Sequence, residues 1–473
     1  MISFLVSLVA LIVGYIIYGK FVEKTFVVDD KIKTPAETMQ DGIDYVPMSW
    51  PKIFLIQFLN IAGLGPIFGA ISGALWGPAA FLWIVFGCIF AGAVHDFFTG
   101  ILSIRNNGAN VPDIVGKYLG ETPRKIMVVF SVVLLILVGV VFLTGPADLL
   151  QTLTGQSRNL FIVLIVIYYI LATILPVDKI IGKIYPLFGA CLLIMAFGIG
   201  IGICTNGYAI PEIQFVNFHP AGTPIFPYLF ITIACGAISG FHATQSPIMA
   251  RCVKKESEAR KVFYGAMIAE GVIALIWAAA AMSFFGGSEG LQAAISNGGP
   301  AGVVNTISNT LMGKIGAILA ILGVVACPIT SGDTAFRSAR LVIADSIHMK
   351  QENIMNRYKI AIPMFAVGIA LTFIDFTIIW RYFSWANQTL AMIMLWAASS
   401  YMVKSKKNHW ICTIPAVFMS AVTSAYILQA PEGFRLAAPI SNICGVVFAL
   451  ILFGLFLNYT RKSSEGNSVK VNN

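Results

Sequence analysis

Long runs of apolar residues, separated by short polar segments, fill most of this 473-residue chain. A helix needs about 20 apolar residues to cross a bilayer, and about thirteen stretches approach that length. They lie at about 2–18, 51–75, 78–103, 126–146, 159–175, 184–205, 225–248, 261–286, 311–333, 358–380, 382–403, 409–428 and 437–459. The pattern predicts an all-α integral membrane protein with about 13 transmembrane helices.

The composition supports this interpretation, since 58% of the residues are hydrophobic, 11% are charged and the mean hydropathy is +0.83. A soluble domain of this length would need an apolar surface. The first apolar run lacks a preceding basic region, and Lys20 follows it. We therefore interpret it as a retained helix and not as a cleaved signal peptide.

The net charge is +9, and the basic residues are distributed unevenly between the loops on the two sides of the membrane. With thirteen helices and the N-terminus outside, the cytoplasmic segments carry 27 of the Lys and Arg residues. The outer side carries four: Arg158, Lys314, Arg381 and Arg435. This asymmetry is what the positive-inside rule requires. It predicts an external N-terminus, a cytoplasmic C-terminus and membrane lipids, not nucleic acid, as the partner of the basic residues.

Two Gly-interrupted apolar helices lie about half a chain apart, at 60–66 and 234–242. A helix broken inside a membrane leaves peptide groups that lipid cannot satisfy. Paired breaks are typical of secondary transporters built from inverted repeats. The alternative is that these glycines only allow close helix packing.

The breaks divide the chain into two five-helix units, which have opposite orientation because each contains an odd number of spans. An offset of 173 residues aligns Gly63 with Gly236 and Phe68 with Phe241. We expect an extra N-terminal helix and loop (1–50), repeat 1 (51–205), repeat 2 (206–403) and two C-terminal helices with a tail (404–473). The outer loops at 206–223 and 286–303 are rich in Gly, Pro and Asn, and are either lids or plain connectors.

The breaks are the predicted substrate site. Free N–H groups at the start of each half-helix suit a carboxylate, whereas freed carbonyls suit a cation. His242 follows the second break, where it either protonates, donates to a substrate or bonds neutrally to a carbonyl. The candidate substrate-binding residues are Asn60, Gly63, Gly65, Gly236, Gly240, His242, Gln245 and Ser246.

Candidate ion-coupling residues lie in three other helices. Asp96 and Glu270 are lone carboxylates at membrane depth, which favours a proton relay or a cation site. Thr330 and Ser331 offer two hydroxyl ligands to a small cation, so a bound Na⁺ is the one cofactor considered. Asp333 is four residues from Arg337, which allows either coupling or an ion pair at the end of the ninth helix. Asn387 and Gln388 suit interhelical hydrogen bonds.

The eight cysteines show no paired spacing, and we interpret them as packing residues and not as a metal site. The sequence contains no nucleotide-binding motif or catalytic triad, so an enzyme is not expected.

Several segments in both units resemble the carbon starvation protein A (CstA) family. They lie at 60–70, 91–109, 234–242, 333–340 and 385–391. The resemblance implies an inner-membrane importer of peptides or pyruvate-like acids, induced when carbon runs short and driven by protons. It also implies the amino acid–polyamine–cation superfamily fold, in which Thr330 and Ser331 match a sodium site.

The sequence thus predicts a cation-coupled secondary transporter with a 5+5 inverted-repeat core and two discontinuous helices. Its expected substrate is a short peptide or a 2-oxo acid, its coupling ion H⁺ or Na⁺, and its location the bacterial cytoplasmic membrane. A sodium-coupled amino-acid or organic-anion symporter is the main alternative. A channel would need a through-pore, and a membrane sensor would need a signalling domain.

Overall fold

A computed structural model describes residues 1–42, 44–172, 181–214, 216–349, 351 and 353–468. Within these ranges the regular elements are helical and no β-strand occurs. The helices are α1 (Ile2–Ile16), α2 (Tyr18–Phe26), α3 (Pro35–Thr38), α4 (Trp50–Ile61), α5 (Gly65–Gly73), α6 (Ala79–Gly87), α7 (Ala93–Arg105), α8 (Val111–Leu119), α9 (Glu121–Thr154), α10 (Arg158–Ala172), α11 (Ile181–Thr205), α12 (Tyr228–Thr232), α13 (Gly240–Ala250), α14 (Gly265–Phe284), α15 (Ser288–Ala320), α16 (Cys327–Ser346), α17 (Ile354–Leu371), α18 (Phe376–Lys404), α19 (Trp410–Gln429) and α20 (Ala438–Ser468). The predicted all-α class is confirmed.

Membrane-spanning length and apolarity are met by nine helical stretches in the described part of the chain. The pair α4 and α5, bent by 49°, makes a tenth if it counts as one span. The remaining predicted spans include α12 with α13, whose pieces are short, and α10. The predicted number of thirteen therefore stays a prediction, although the multi-pass architecture is clear.

Both predicted helix breaks are confirmed. Helix α4 ends at Ile61 and α5 begins at Gly65, so Gly63 lies in the break and Gly65 at a helix start. The second break is longer, because α12 ends at Thr232 and α13 begins at Gly240. Gly236 lies inside it with φ +87°, a left-handed conformation that favours glycine.

The order of packing agrees with an inverted repeat. The first broken helix contacts the second, since α5 packs on α12 and α4 on α13. The next helix of each unit also meets its counterpart, because α6 and α7 pack on α14. The third pair is α9 with α16, and this contact is extensive. The core is therefore built from corresponding helices of the two units, while α19 and α20 lie outside it.

Three predicted boundaries are wrong. The segment 286–303 is not a loop, because α15 starts at Ser288 and passes Pro300 with a kink at Gly299 (φ +62°). The ninth predicted helix does not end near Arg337 but continues in α16 to Ser346. The turn between α17 and α18 lies at 372–375 and not at 381, because the Asp375 carboxylate accepts the Thr377 N–H and starts α18 there.

The described residues of the segment 206–223, which are all but 215, form a loop as predicted, and part of this loop packs over the end of the first broken helix. The Trp76 indole donates to the Thr223 carbonyl at 2.9 Å, and the Phe218 ring lies against Gly77. The loop therefore contacts the end of the span that contains the first break.

A polar latch joins four segments on the predicted cytoplasmic side. Arg105, at the end of α7, donates to both carboxylate oxygens of buried Glu256 at 2.7 and 2.8 Å. It also donates to the Tyr401 hydroxyl at 2.7 Å, and its guanidinium lies 4.4 Å from the centre of the Phe26 ring. We call Arg105, Glu256, Tyr401 and Phe26 the cytoplasmic latch.

Candidate functional site

The two helix breaks contact each other directly. A side chain at Gly65 would place its Cβ 2.3 Å from the Cβ of Cys235, so only a glycine allows this approach. At Gly236 a Cβ would lie 3.7 Å from Pro66 and 2.5 Å from the Ala274 Cβ. The first break, the second break and α14 therefore share one small volume of the core.

A π-helical turn precedes each predicted ion-coupling segment. Cys88–Gly92 precedes α7 with Asp96, Arg260–Tyr264 precedes α14 with Glu270, and Ile321–Ala326 precedes α16 with Thr330 and Ser331. Such turns insert a residue into a helix, rotate the side chains that follow and are frequent at functional sites. Here they adjust which side chains face the breaks.

His242 joins the two carboxylates that the sequence singled out. Its Nδ1 lies 2.8 Å from Asp96 Oδ2, and its Nε2 lies 3.2 Å from Glu270 Oε2. The other oxygen of Asp96 lies 2.8 Å from the Nδ1 of His95. All four side chains are fully buried. We call Asp96, His242 and Glu270, with His95 behind Asp96, the charge cluster.

The description of Asp96 and Glu270 as lone carboxylates is therefore wrong. Neither has Lys or Arg within one turn of its own helix, but both contact a histidine from another helix. Sequence spacing cannot reveal such a contact, since Asp96 and His242 are 146 residues apart.

The charge cluster leaves several polar atoms unpaired. Among the described residues, His95 Nε2 has no hydrogen-bond partner, and His242 Nε2 and the Glu270 oxygens have only their mutual contact at 3.2 Å, which is not a hydrogen bond. Burying a carboxylate without hydrogen bonds is costly, so a proton or another cation has to compensate the charge between His242 and Glu270. The arrangement is a buried site for positive charge next to both breaks.

The predicted substrate-binding residues surround the same place. Asn60 is the second-last residue of α4 and is buried. Ser246 accepts from the Gln57 amide at 3.1 Å, which links α13 to α4. Gln245 donates to Thr244 at 3.0 Å, and its Oε1 is unpaired within the described structure. Two buried amides, Gln57 and Gln245, thus offer polar groups near the breaks.

One of the expected free N–H groups, at the start of α13, is in use. Phe241 N–H donates to the Asn387 Oδ1 at 2.6 Å, and Ser239 donates to the same oxygen at 3.2 Å. At the start of α5, the N–H groups of Ile67 and Phe68 both donate to the Leu64 carbonyl. The prediction of free donors is therefore wrong for the Phe241 N–H, and it stays a prediction for the start of α5, where these two bonds are the regular ones of a first helical turn. Asn387 has the predicted role of interhelical hydrogen bonding, as does Gln388, which donates to the Phe230 carbonyl.

Thr330 and Ser331 lie one turn along α16 from a contact with the first broken helix. The Cys327 thiol donates to the Leu59 carbonyl at 3.6 Å. Both hydroxyls donate to the Cys327 carbonyl, at 2.7 and 3.1 Å, which leaves their oxygens available as acceptors. Asp333 is buried and lies 3.8 Å from Arg337 Nη2. It does not join the charge cluster among the contacts of the described residues.

Sequence reasoning missed two participants, Cys235 and Gln57, and did not place a third, Asn387. Cys235 lies with His242 and Glu270, although its spacing indicated packing alone. Gln57 escaped notice because one amide in an apolar helix is common. Asn387 was considered, but its position at the start of α13 becomes visible only when α13 and α18 are packed together.

The matching proteins that carry a named activity are membrane transporters. The family model described as carbon starvation protein CstA matches residues 1–147, 143–288 and 286–425. An uncharacterized membrane protein of Haemophilus influenzae is 48% identical over 63% of this chain and 95% of its own length. The peptide transporter CstA of Campylobacter jejuni is 24% identical, covering 92% of this chain and 81% of the relative. The pyruvate/proton symporter BtsT of Escherichia coli is 28% identical, covering 63% and 50%.

Solved structures agree on the fold. The manganese transporter of Eremococcus coleocola has a TM-score of 0.54 at 14% identity and covers 90% of this chain and 98% of its own. MhsT in complex with L-phenylalanine has a TM-score of 0.54 at 16% identity, covering 84% and 98%. At these identities the likeness shows an inverted-repeat transporter fold and no more. Because the family model spans most of the sequence, the chain belongs to the carbon starvation protein CstA family.

Proposed function

We propose that this protein is a proton-coupled secondary transporter that imports short peptides or small carboxylates such as pyruvate. The names of the relatives support transport of these substrates, and the proton coupling of BtsT supports H⁺ as the driving ion. Family membership also supports a transporter and not an enzyme.

The observation that carries the proposal is the charge cluster beside the two breaks. Ionisable groups inside a membrane protein are expensive and usually mark ion pathways. His242 bridges carboxylates on α7 and α14, at 2.8 and 3.2 Å, so a proton on the imidazole compensates both. Substrate binding at the adjacent breaks changes the electrostatic field at this proton, which couples the two ligands.

The substrate carboxylate would bind at the breaks themselves. Gln57, Gln245 and Ser246 supply polar groups on α4 and α13. The half-helix starts would supply N–H donors once their present partners move away. Asn60, Gly63, Gly65, Gly236 and Gly240 would shape this volume. A small acid or a short peptide fits this chemistry, because each presents one carboxylate.

Uptake by purified protein in proteoliposomes tests the proposal. Labelled pyruvate and labelled dipeptides are supplied under an inward pH gradient, an inward Na⁺ gradient or neither. Accumulation under the pH gradient alone, collapsed by a protonophore, is the expected result. Equal uptake with and without gradients would contradict coupled transport, and indifference to both substrates would contradict the substrate class.

A sodium-coupled symporter is the second candidate, with Na⁺ bound at Thr330 and Ser331. The contact of Cys327 with Leu59 supports it, because it brings these hydroxyls near the first broken helix. In the same vesicles, uptake that follows external Na⁺ and is lost in Thr330→Ala would favour this candidate. Asp333 would then act as a neighbouring charge and not as the carrier of a proton.

The cellular setting completes the proposal. We place the protein in the bacterial cytoplasmic membrane, with the N-terminus outside and the C-terminus inside. Its partners there would be the small-molecule substrate, the coupling cation and membrane lipids, and it would act during carbon starvation. The distribution of Lys and Arg supports this orientation.

A further inference from the structure

Three potential metal ligands converge where the second break meets α14. Cys235, His242 and Glu270 each direct one ligand atom to a common place, and these atoms lie within 4.8 Å of one another. All three residues are buried, with Cys235 2% exposed and the other two fully inaccessible.

The distances suit a tetrahedral metal ion. Zinc binds thiolate sulfur at about 2.3 Å, imidazole nitrogen at about 2.0 Å and carboxylate oxygen at about 2.1 Å. At the tetrahedral angle two such bonds separate their ligand atoms by about 3.5 Å. Side-chain rotations that move the ligand atoms by less than about 1 Å therefore bring all three within bonding distance of one ion.

The orientation of His242 is that of a metal ligand. Its Nδ1 faces Asp96 at 2.8 Å, and metal-binding histidines usually donate their second nitrogen to such a carboxylate. With the proton on Nδ1, Nε2 carries a lone pair, and this lone pair faces Glu270. In the described part of the chain, Nε2 and both Glu270 oxygens lack hydrogen-bond partners, although Nε2 and Oε2 lie 3.2 Å apart. The Cys235 sulfur contacts Ser239 Oγ at 3.5 Å and the Asn387 amide nitrogen at 3.6 Å, and it would exchange these long contacts for the metal.

Charge and ligand softness select the ion. A thiolate and a carboxylate together balance a divalent cation. Thiolate with imidazole favours Zn²⁺ and Co²⁺, whereas Mg²⁺, Ca²⁺ and Mn²⁺ prefer oxygen ligands.

We propose that Cys235, His242 and Glu270 form a binding site for Zn²⁺, with Asp96 as the partner that orients His242. Binding needs neither substrate nor gradient, so the site goes beyond the proposed function. A bound ion would tie the broken helix to α14 and replace the proton at His242. Zinc would therefore inhibit transport, a consequence that rests on the proposed function.

Cobalt titration of the purified full-length protein in detergent, after dialysis against a chelator, tests the site. We expect one Co²⁺ per chain, with the near-ultraviolet absorption of a cobalt–thiolate bond, and displacement by Zn²⁺. Cys235→Ser should abolish that absorption, whereas Cys412→Ser, at a buried thiol in α19, should keep it. Asp96→Asn should weaken binding about tenfold to hundredfold.

Cys235→Asp serves as a second variant, because it keeps a ligand of similar size but removes the sulfur. It should retain Co²⁺ binding without the thiolate absorption, which separates loss of a ligand from loss of the fold. No thiolate absorption in the unaltered protein, or the same absorption in Cys235→Ser, would overturn the site. In proteoliposomes, micromolar Zn²⁺ should lower uptake by the unaltered protein relative to its own zinc-free rate, and the same ratio measured for Cys235→Ser should stay near one. Absence of uptake altogether would count against the proposed function and leave the binding result standing.

Discussion

His242 lies between two carboxylates in the interior of a membrane protein, so a proton on this side chain changes the net charge of the charge cluster by one. Asp96 and Glu270 contact its two ring nitrogens at 2.8 and 3.2 Å. Removing either carboxylate changes the charge without removing the histidine. The consequences for coupling can therefore be tested residue by residue.

We expect Asp96→Asn or Glu270→Gln to abolish gradient-driven accumulation but to preserve exchange of substrate across the membrane. Exchange needs no net proton movement, whereas accumulation does. The measurement is labelled-substrate counterflow beside pH-driven uptake in the same proteoliposomes. Asp333→Asn is the control, because Asp333 pairs with Arg337 and should not separate the two activities. Full accumulation by both cluster variants would move the coupling ion elsewhere.

Gly65→Ala should destabilise the protein by about 1–3 kcal/mol, the usual cost of overpacking. The added methyl would lie 2.3 Å from the Cys235 Cβ, so the two breaks would have to separate. Thermal unfolding in detergent measures the effect. Gly454→Ala in α20 is the control, since its methyl meets no described atom within 4 Å. Cys235→Gly combined with Gly65→Ala should recover stability, and a failure to do so would argue against direct contact.

The sequence alone identifies His242, Asp96 and Glu270 as candidates, because burying an ionisable group in an apolar helix costs free energy. Their mutual contacts could not. Interhelical geometry places Asp96 beside a residue 146 positions away, and no local spacing encodes that. The same limit explains why Cys235 was interpreted as a packing residue.

At the scale of elements, helix breaks were predictable and helix ends were less so. Gly and Pro fix the breaks at 62–64 and 233–239 through local backbone chemistry. The prediction of a loop at 286–303 was wrong, because it was based on the Gly, Pro and Asn content of that segment. There the chain forms helical segments on either side of a kink at Gly299, with a second kink at Gly313, so helix replaces most of the predicted loop. The π-helical turns before α7, α14 and α16 had no signal in the apolar pattern.

Among the contacts between helices, the cytoplasmic latch can be tested most directly. Glu256→Gln should lower stability by about 1.5–3 kcal/mol, because Arg105 loses hydrogen bonds to a charged partner in a buried position. Thermal unfolding again provides the measurement. Asp113→Asn should cost less than about 1 kcal/mol, since the Asp113–Arg124 pair is exposed. Adding Arg105→Gln to Glu256→Gln should recover part of the loss. Equal effects of Glu256→Gln and Asp113→Asn would show that the latch is not a significant contact.

At the scale of the whole molecule, the charge asymmetry predicts which loops face outward. We expect a cysteine at Asn206 to react with an impermeant thiol reagent added to intact cells, and one at Lys255 to react only after lysis. Both positions are exposed, and the background should carry Cys204→Ser and Cys444→Ser because those thiols are exposed too. The reverse labelling pattern would invert the proposed orientation and change the number of spans.

The fold class and the repeat were predictable because they depend on hydropathy, charge and Gly placement, all of which are local. The exact boundaries 51–205 and 206–403 stay a prediction. The pairing of α9 with α16 is a property of the packed molecule and leaves no trace in either segment alone.

The hydrogen bond from Phe241 N–H to Asn387 has a consequence for the return step of the transport cycle. A symporter has to reorient after its substrate has left. Unpaired N–H groups at a half-helix end would then attract water or other anions. The Asn387 amide oxygen accepts the Phe241 N–H at 2.6 Å, so this half-helix end already has a partner within the protein. Under the proposed binding mode the substrate carboxylate has to displace that amide, which weakens substrate binding and speeds substrate release. A half-helix end without the Asn387 contact would bind substrate more tightly, but it would also admit water and other anions during the return step.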